Sequence, residues 1–265
     1  MGWILITNDD GVDSPALVPL ARAIEQVGRV EVVVPDRERS WIGKAITRHD
    51  PVTVRPVVRG GSTFIAASGY PADCVQLGLH ALFAEPPALV VSGINIGYNH
   101  GSGYIHSSGT VGAAVEAVLG NVPAIALSAG SHSRPWSEWR EWVHTPEAGE
   151  MWERLAAISA DLVSRLVAMD PPDAVVNVNL PDDAGPATPR RLTTIAQVGY
   201  ERLFRAEGPD RYVHDFGGGL RWFAGLEGTD VEATANGVVA ITPVTPFGSI
   251  PFATEDIQAL AGPAV

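Results

Sequence analysis

The first half of the sequence alternates short apolar runs with stretches of helical pattern. The apolar runs are rich in β-branched residues, which is typical of buried strands. In chain order, the predicted elements cover residues 3–7, 15–27, 30–34, 71–83, 88–91, 110–119 and 124–127. Strands that alternate with helices of this size form a parallel sheet covered by helices on both faces. We therefore predict an α/β fold.

The remaining segments add a hairpin, one more helix and strand, and a different C-terminal third. Residues 52–58 and 62–66 flank Arg59-Gly60-Gly61, which predicts a hairpin beside the sheet. Helix 152–169 and strand 174–180 follow. After Pro181 the chain becomes short strands and turns, so we divide it into a body, 1–180, and a β extension with a tail, 181–265. Because isolated two-stranded extensions are marginally stable, we expect oligomer contacts to cover this one.

The composition of the chain argues against several classes of protein. The 265 residues are 46% apolar and 18% charged, as in a globular protein with a large core. No apolar run approaches the roughly 18–20 residues that span a bilayer, and the N-terminal run is too short for a secretory signal. A net charge of −12 argues against a long nucleic-acid footprint. The single cysteine, Cys74, is expected in the core and not as a nucleophile, and we expect a cytoplasmic protein without membrane contact.

Asn8-Asp9-Asp10-Gly11 follows the first predicted strand directly. Two adjacent carboxylates at the end of a buried strand repel each other, so they raise a pKa or recruit a cation. The alternative is an ordinary turn, because asparagine, aspartate and glycine are common turn residues. The position favours function, since ligands of open α/β sheets bind beyond the carboxyl ends of the strands.

Later loops add uncharged oxygens and backbone N–H groups to the same edge. Ser40 follows the second strand and Asn95 follows the strand at 88–91; both are possible oxygen ligands for a hard divalent cation. The alternatives are a turn serine and an asparagine that braces its own loop. Residues 107–110 resemble a helix cap that can also bind an anion, although a cap needs no ligand.

Several other templates do not fit. Asp9 and Asp10 are adjacent and so lack the Asp-x-Asp spacing of haloacid-dehalogenase phosphatases, and no glutamate closes an EF-hand loop. Neither a G-x-G-x-x-G nor a G-x-S-x-G motif is present. Of the seven histidines, only His100 and His106 fall near the expected site. Three tryptophans recur every third residue, Trp136, Trp139 and Trp142, and we expect them to pack, with substrate stacking as the alternative.

Taken together, these segments resemble the SurE survival-protein family of metal-dependent 5′-nucleotidases. The motifs that carry the resemblance are, in chain order, NDDG with SPAL after it, PDRERS, SGYPADCV, VVSGINIGYNHG, SSGTVGAAVEA, VNVNLPDD and GTDVEATANGVVAITPVTP. They cover nearly the whole chain. Any one of them is weak evidence, but several in the same order are specific.

The resemblance implies a Rossmann-like body, a C-terminal β extension that builds a homodimer or homotetramer, and hydrolysis of nucleoside monophosphates. It implies one divalent cation, Mg²⁺ or Mn²⁺, as cofactor. The residue roles that it implies are metal binding by Asp9, Asp10, Ser40 and Asn95, with catalytic roles for Asp9, Asp10 and Asn99, and phosphate binding by Asn99, Ser108, Gly109 and Thr110. Lys44 is a further candidate cation for the substrate, with a solvated loop position as the alternative.

The sequence departs from the family pattern around this site. Trp41 stands where a small residue is usual, Ser107 where an aromatic residue is common, and the segment 131–151 is longer than usual. We therefore expect metal-assisted attack of water on a phosphomonoester, with the choice of substrate left open. The alternatives are a phosphatase for a specialised nucleotide-like metabolite and a non-catalytic nucleotide-binding or metal-binding homologue.

Overall fold

A computed structural model describes residues 2–169, 174–216 and 220–247. The strands in this part of the chain are β1 (Ile4–Thr7), β2 (Val30–Pro35), β3 (Val54–Arg59), β4 (Ser62–Ala67), β5 (Leu89–Ile96), β6 (Ala124–Gly130), β7 (Val175–Pro181), β8 (Arg190–Leu192), β9 (Val198–Tyr200), β10 (Phe204–Ala206), β11 (Tyr212–His214), β12 (Leu220–Trp222) and β13 (Val239–Val244). The helices are α1 (Leu17–Glu25), α2 (Pro71–His80), α3 (Gly101–Ser107), α4 (Gly109–Leu119), α5 (Trp136–Trp142), α6 (Gly149–Val167) and α7 (Asp230–Ala235), with a 3₁₀ turn at Pro146–Ala148.

Nine strands form one sheet in the order β3-β4-β2-β1-β5-β6-β7-β13-β8. The strands from β4 to β7 are parallel to one another, and β3 and β13 join antiparallel at the two sides. β13 in turn pairs parallel with β8. The prediction of a mostly parallel α/β sheet is therefore confirmed.

The period of two in strand β1 divides the core into two layers. Ile4 and Ile6 face one apolar cluster, which includes residues of α1 and α6, whereas Leu5 faces another, which includes residues of α2 and α4. All four residues of the strand are buried. A strand covered on both faces has no polar face, which is why the run is continuously apolar.

The hairpin β3–β4 lies at one edge of the sheet, where β4 continues the parallel strands. Gly60 and Gly61 adopt φ values of 55° and 87° in its turn. Two successive positive φ angles fit the right-handed twist of a two-residue hairpin and favour glycine at both places. This element was predicted from the sequence.

The segment after Pro181 is less separate than the sequence pattern suggests. β13 and β8 continue the main sheet, while β10 pairs with β11 and β12 pairs with β9 outside it. Helix α7 lies within a stretch that was predicted as strands and turns. The division of the chain at residue 181 stays a prediction, and the expected tail after residue 247 lies outside the described residues.

Among the described residues, no helix combines the length and the apolar character that crossing a membrane requires.

Candidate active site

A cavity of about 980 Å³ opens at the carboxyl ends of the parallel strands. The segments after β1 and β2, the end of β5 and the end of β6 form its wall. The charged side chains that line it are Asp9, Asp10, Asp13, Asp36, Glu38 and Asp215, with Arg37, Arg134 and Arg140. This volume suits a small-molecule ligand. The excess of carboxylates means that an anionic ligand needs additional positive charge in the cavity.

The Asn8 and Gly11 residues of the first motif make the turn that presents its two aspartates. The Asn8 side chain accepts the Gly11 N–H at 3.0 Å and donates to the Gly11 carbonyl at 3.1 Å. Gly11 has a φ of 84°, and a Cβ there would lie 2.6 Å from the carbonyl carbon of Arg37. Glycine is therefore required by both conformation and space. The motif can therefore be both a turn and part of a site. Asn8 and Gly11 form the turn, whereas Asp9 and Asp10 line the cavity.

Asp9 is buried and is held by the start of helix α4. Its two carboxylate oxygens accept the Thr110 hydroxyl at 2.5 Å and the Thr110 N–H at 3.1 Å. Burial raises the pKa of Asp9 to about 6, although these hydrogen bonds from Thr110 and one from the Gly109 N–H lower it. The carboxylate is thus fixed in direction but incompletely stabilised as an anion.

Asp10 is partly buried beside Asp9, and its Oδ2 accepts the backbone N–H of Ile96 at 3.0 Å. Burial raises the pKa of Asp10 well above its usual range, and the Asp9 charge adds to the rise. Within the described residues, neither carboxylate has a lysine or arginine partner. Two adjacent acids that lack a cationic side chain are suited to binding a divalent ion.

Ser40 and Asn95 line the same cavity as the two aspartates. The Asn95 amide nitrogen donates to the Gly97 carbonyl at 2.6 Å, so its Oδ1 remains available as an oxygen ligand. Ser40 Oγ donates to Glu38 Oε1 at 2.8 Å and keeps its lone pairs. The structure thus brings together all four side chains expected at the metal, and all four offer oxygen donors of the kind that hard divalent cations take.

Asn95 reaches the cavity from a strand and not from a loop, which corrects the sequence interpretation. Strand β5 runs on to Ile96 through a register shift against β6 between Ser92 and Asn95. Gly93 makes this possible with a φ of 137°, and a Cβ there would overlap the carbonyl oxygen of Leu127. The glycine, serine and asparagine that imitate a loop are needed for this irregular strand.

Asn99 lies buried in the cavity wall and is fixed by a network of polar side chains. Its Nδ2 donates to Ser128 Oγ at 2.8 Å. Its backbone N–H donates to Asn179 Oδ1 at 2.8 Å, and its carbonyl accepts from Asn177 at 2.8 Å and from Asn179 at 3.2 Å. The sequence analysis missed these partners. The available signal was VNVNLP, in which two asparagines occupy alternate positions of a buried strand.

The start of helix α4 lies against both the cavity and Asp9. Ser108 lines the cavity, and its Oγ caps the helix by accepting the Val111 N–H at 3.0 Å. Gly109 and Thr110 do not line the cavity, and their N–H groups face Asp9. In this position the anion at the helix start is Asp9 itself, and the binding of phosphate by these two residues stays a prediction.

Lys44 is not brought to the cavity either. Its ammonium pairs with Glu116 Oε2, while Glu116 Oε1 accepts from Gln76 at 2.6 Å. Lys44 is absent from the cavity lining. Because Glu116 is buried, the lysine neutralises a charge in the core. Its expected role as a cation for the substrate is not supported by this position.

His100 lies in the cavity wall, whereas His106 lies outside it. Burial lowers the pKa of His100 to about 4, so its ring is neutral at pH 7. Its Nδ1 contacts the Thr234 hydroxyl at 2.8 Å, and that hydroxyl donates to the Asp230 carbonyl at 3.0 Å. The ring and the hydroxyl thus share one hydrogen bond, whose donor depends on the tautomer of His100.

One wall of the cavity is aromatic. Trp41 is 38% exposed and has a φ of 62°, a conformation that costs a non-glycine residue about 1–2 kcal/mol. The rings around Trp41 are Tyr104 at 6.1 Å, Tyr200 at 5.3 Å, His214 at 5.0 Å and Phe216 at 5.3 Å between centroids. Backbone strain retained at a cavity wall is typical of a functional position.

The three tryptophans of α5 divide between the core and the cavity rim. Trp139 is buried in the core cluster that contains β1 and also lines the cavity, and Trp142 packs against the same cluster. Trp136 is half exposed at the cavity, and a Cβ on Gly97 would lie 3.3 Å from its ring. The expected packing role fits Trp139 and Trp142, whereas Trp136 has a position open to a ligand.

Comparisons with known proteins extend over most of the chain. Residues 4–202 match the family model described as survival protein SurE. The 5′-nucleotidase SurE of Geobacter sulfurreducens is 38% identical over 245 residues, covering 91% of this chain and 87% of the relative. The one from Geobacter metallireducens is 39% identical over 249 residues, covering 91% and 90%. The crystal structure of the SurE protein from Aquifex aeolicus aligns with a TM-score of 0.75 at 31% identity, covering 98% of this chain and 99% of that one.

Proposed function

The chain belongs to the survival protein SurE family, and from that premise we propose that it is a 5′-nucleotidase, a phosphoric monoester hydrolase that releases phosphate from nucleoside 5′-monophosphates. Curated relatives that cover 91% of the chain carry this activity in their names. The family match agrees with the resemblance seen in the sequence. Hydrolysis of 3′-monophosphates is a finer question that belongs to the same proposal.

The observation that carries the proposal is the adjacent pair Asp9 and Asp10 at the cavity floor. Both carboxyl groups have raised pKa values, and within the described part of the chain neither has a lysine or arginine partner. Ser40 and Asn95 supply uncharged oxygens to the same cavity. This donor set fits a single divalent cation, and we propose Mg²⁺ or Mn²⁺. A bound ion would also offset the negative charge of the cavity for an anionic substrate.

Each residue at the proposed centre has a distinct task. Asp9, Asp10, Ser40 and Asn95 would hold the cation, which when bound polarises a phosphoryl oxygen and supplies activated water. Thr110 keeps the Asp9 carboxylate pointed in one direction.

Asn99 is the group proposed to orient the phosphoryl oxygens. Its backbone and its amide are locked by Asn177, Asn179 and Ser128, so its amide is preorganised before any substrate arrives. Ser108 lines the cavity and stays a candidate for the same phosphoryl group.

The aromatic wall supports a substrate with a flat, aromatic part. Trp41, Tyr104 and Phe216 line the cavity that also contains the aspartate pair, and so does His214. A nucleobase stacked on an aromatic ring gains about 1–3 kcal/mol. We propose that this wall contacts the base. The same observation leaves room for the second candidate function, hydrolysis of a specialised nucleotide-like metabolite.

We extend the proposal to the oligomeric state and the cellular location of the protein. Exposed apolar side chains cluster in the part of the chain after Pro181, which supports a homodimer or homotetramer. The single cysteine, Cys74, is buried and has no second cysteine in the sequence, which is consistent with the proposed cytoplasmic location.

A phosphate-release assay tests the function. Nucleoside 5′- and 3′-monophosphates, together with simple phosphomonoesters, are incubated with the protein in Mg²⁺, in Mn²⁺ and in EDTA. We expect release from 5′-monophosphates that EDTA abolishes. Turnover confined to another phosphomonoester would favour the metabolite alternative. Nucleotide binding without release under any condition would favour a non-catalytic homologue.

A further inference from the structure

A second group of potential metal ligands lies at the ends of strands β6 and β7, outside the lining of the main cavity. His132, Asp182 and Asp183 each offer one ligand atom, and these atoms lie within 4.8 Å of one another. His132 Nε2 and Asp183 Oδ2 are 3.2 Å apart. The group shares no residue with Asp9, Asp10, Ser40 and Asn95.

Asp182 is the member of this group that needs an explanation. The residue is only 8% exposed, yet in the described part of the chain its carboxylate accepts no hydrogen bond and forms no salt bridge. Arg154 is close but binds the backbone carbonyls of Asp182 at 2.6 Å and of Ala184 at 2.8 Å. The residue is largely buried while its carboxylate oxygens keep some contact with solvent, so an ion can reach them and would supply the positive partner that the described residues do not.

The backbone around Asp182 is rigid. Its N–H donates to the Gly130 carbonyl at 2.8 Å, and the Ala184 N–H donates to the Pro181 carbonyl at 2.9 Å. With the contacts of Arg154, these bonds fix the turn that carries both aspartates. A rigid turn of this kind presents its carboxylates without a large loss of entropy on binding.

We propose that His132, Asp182 and Asp183 bind a second divalent ion, of the transition-metal class that includes Zn²⁺, Co²⁺ and Mn²⁺. One imidazole and two carboxylates form a donor set that such ions accept readily. The main site offers oxygens alone, so the two sites differ in chemistry. This inference goes beyond the proposed nucleotidase function and does not depend on it.

Counting bound Co²⁺ by isothermal titration calorimetry of the full, metal-free chain tests the proposal. We expect two ions in the parent, one in Asp182→Asn, and two in the control Asp210→Asn, which changes an exposed aspartate elsewhere. In an Asp10→Asn background we expect one ion, and none when Asp182→Asn is added. Far-UV circular dichroism of each variant checks that it is folded.

The Co²⁺ absorption spectrum and a second variant keep the test independent of one substitution. His132→Gln should remove the same ion as Asp182→Asn and should also remove the spectral contribution of an imidazole ligand. A parent that binds one ion, lost entirely in Asp10→Asn, would overturn the proposal. So would a second ion that survives both His132→Gln and Asp182→Asn, because it would then lie elsewhere.

Discussion

The orientation of Asp9 depends on a residue that is far from it in the sequence. Its carboxylate is oriented by the hydroxyl and the N–H of Thr110, which lies 101 positions later. A carboxylate that binds metal directs its lone pairs well only when its own hydrogen bonds fix it, and losing such a partner costs about 10–100-fold in metal affinity. Thr110 is therefore a positioning residue, although the sequence pattern pointed to it as a phosphate ligand.

The Thr110→Val substitution removes the hydroxyl but keeps the side-chain volume. We expect the Mg²⁺ concentration needed for half-maximal phosphate release to rise by about 10-fold or more. Thr110→Ser, which keeps the hydroxyl, is the matched control and should stay close to the parent. Equal Mg²⁺ dependence in Thr110→Val and the parent would mean that the hydroxyl does not orient Asp9 for the metal.

The raised pKa of Asp9 predicts how the stability of the metal-free protein depends on pH. A carboxyl with a pKa of about 6 when folded and about 4 when unfolded binds a proton more readily in the folded chain. Its contribution to the free energy of unfolding is therefore largest below pH 4 and decreases as pH rises through about 6. Urea unfolding in EDTA at several pH values measures this.

Asp9→Asn should flatten the pH dependence of the unfolding free energy between about pH 4 and pH 6, whereas the exposed control Asp210→Asn should keep the parent's curve. Saturating Mg²⁺ should also reduce this slope in the parent, because the ion stabilises the charged carboxylate. An Asp9→Asn curve that is parallel to the parent's would show that Asp9 titrates normally in the fold.

Trp41 is the residue whose change should alter substrate choice. Trp41→Ala removes the ring at the centre of the aromatic wall, and we expect KM for nucleoside monophosphates to rise by about 10-fold through lost stacking. Hydrolysis of a small aliphatic phosphomonoester should change little. Val58→Ala, an exposed apolar residue of strand β3 outside the cavity lining, is the control. A parallel loss on both substrates would assign Trp41 to folding or to the metal site.

At the scale of elements, the end of strand β5 decides whether Asn95 reaches the cavity. The strand continues through Gly93, whose φ of 137° and tight contact with Leu127 exclude a side chain. The register shift that follows places the end of the strand, including Asn95, in the cavity wall.

Gly93→Ala should destabilise the protein by about 2 kcal/mol or more, because alanine strains at this φ and its Cβ overlaps the neighbouring strand. Gly149→Ala is the matched control: it begins helix α6, and a Cβ there meets nothing within 4 Å. We expect the control to be neutral or slightly stabilising. Urea unfolding of both variants makes the comparison, and equal stability would contradict the strain.

The sequence predicts the elements whose residues follow a regular strand or helix pattern. It misses the elements in which that pattern is interrupted. The run of β1 is buried throughout, that of β2 is apolar except for Glu31, and the Gly60-Gly61 turn has its own signature, so these elements could be predicted locally. Helix α3 could not, because its sequence GSGYIHS resembles a loop. Gly93 and Asn95 near the end of β5 also resemble loop residues, so the last part of that strand was not predicted.

The convergence of the four proposed ligands was predictable from the sequence, but the residues that support them were not. Asp9, Asp10, Ser40 and Asn95 follow or end neighbouring strands, so their convergence at one edge follows from the parallel topology. Contacts such as that of Asn99 with Asn179 join residues 80 positions apart and depend on how helices and strands pack. No local pattern specifies them.

At the scale of the whole molecule, the part of the chain after Pro181 carries most of the large apolar side chains that are more than half exposed among the described residues. The side chains concerned are Leu192, Phe204, Tyr212, Trp222 and Phe223, all more than half exposed. Strands β10 and β11 have three residues each and pair only with one another among the described strands. Such a pair is marginally stable in water, so we infer that a second subunit covers it.

Light scattering after size-exclusion chromatography tests this inference. We expect the parent to have a mass at least twice that of the 28.0 kDa chain. The double variant Phe204→Ser, Tyr212→Ser should shift toward the single chain, because it removes exposed apolar surface from one strand pair. Leu119→Ser, at the end of helix α4, is the control. A parent that is monomeric at all concentrations would remove the interface.

The bond between Asp9 and Thr110 also sets an order of events during synthesis. The first motif leaves the ribosome early, but its carboxylate acquires its direction only after helix α4 has emerged and packed against the sheet. A nascent chain that ends before that helix carries both aspartates without their geometry. Metal capture should therefore follow domain formation, and truncated chains released early should not sequester the ion.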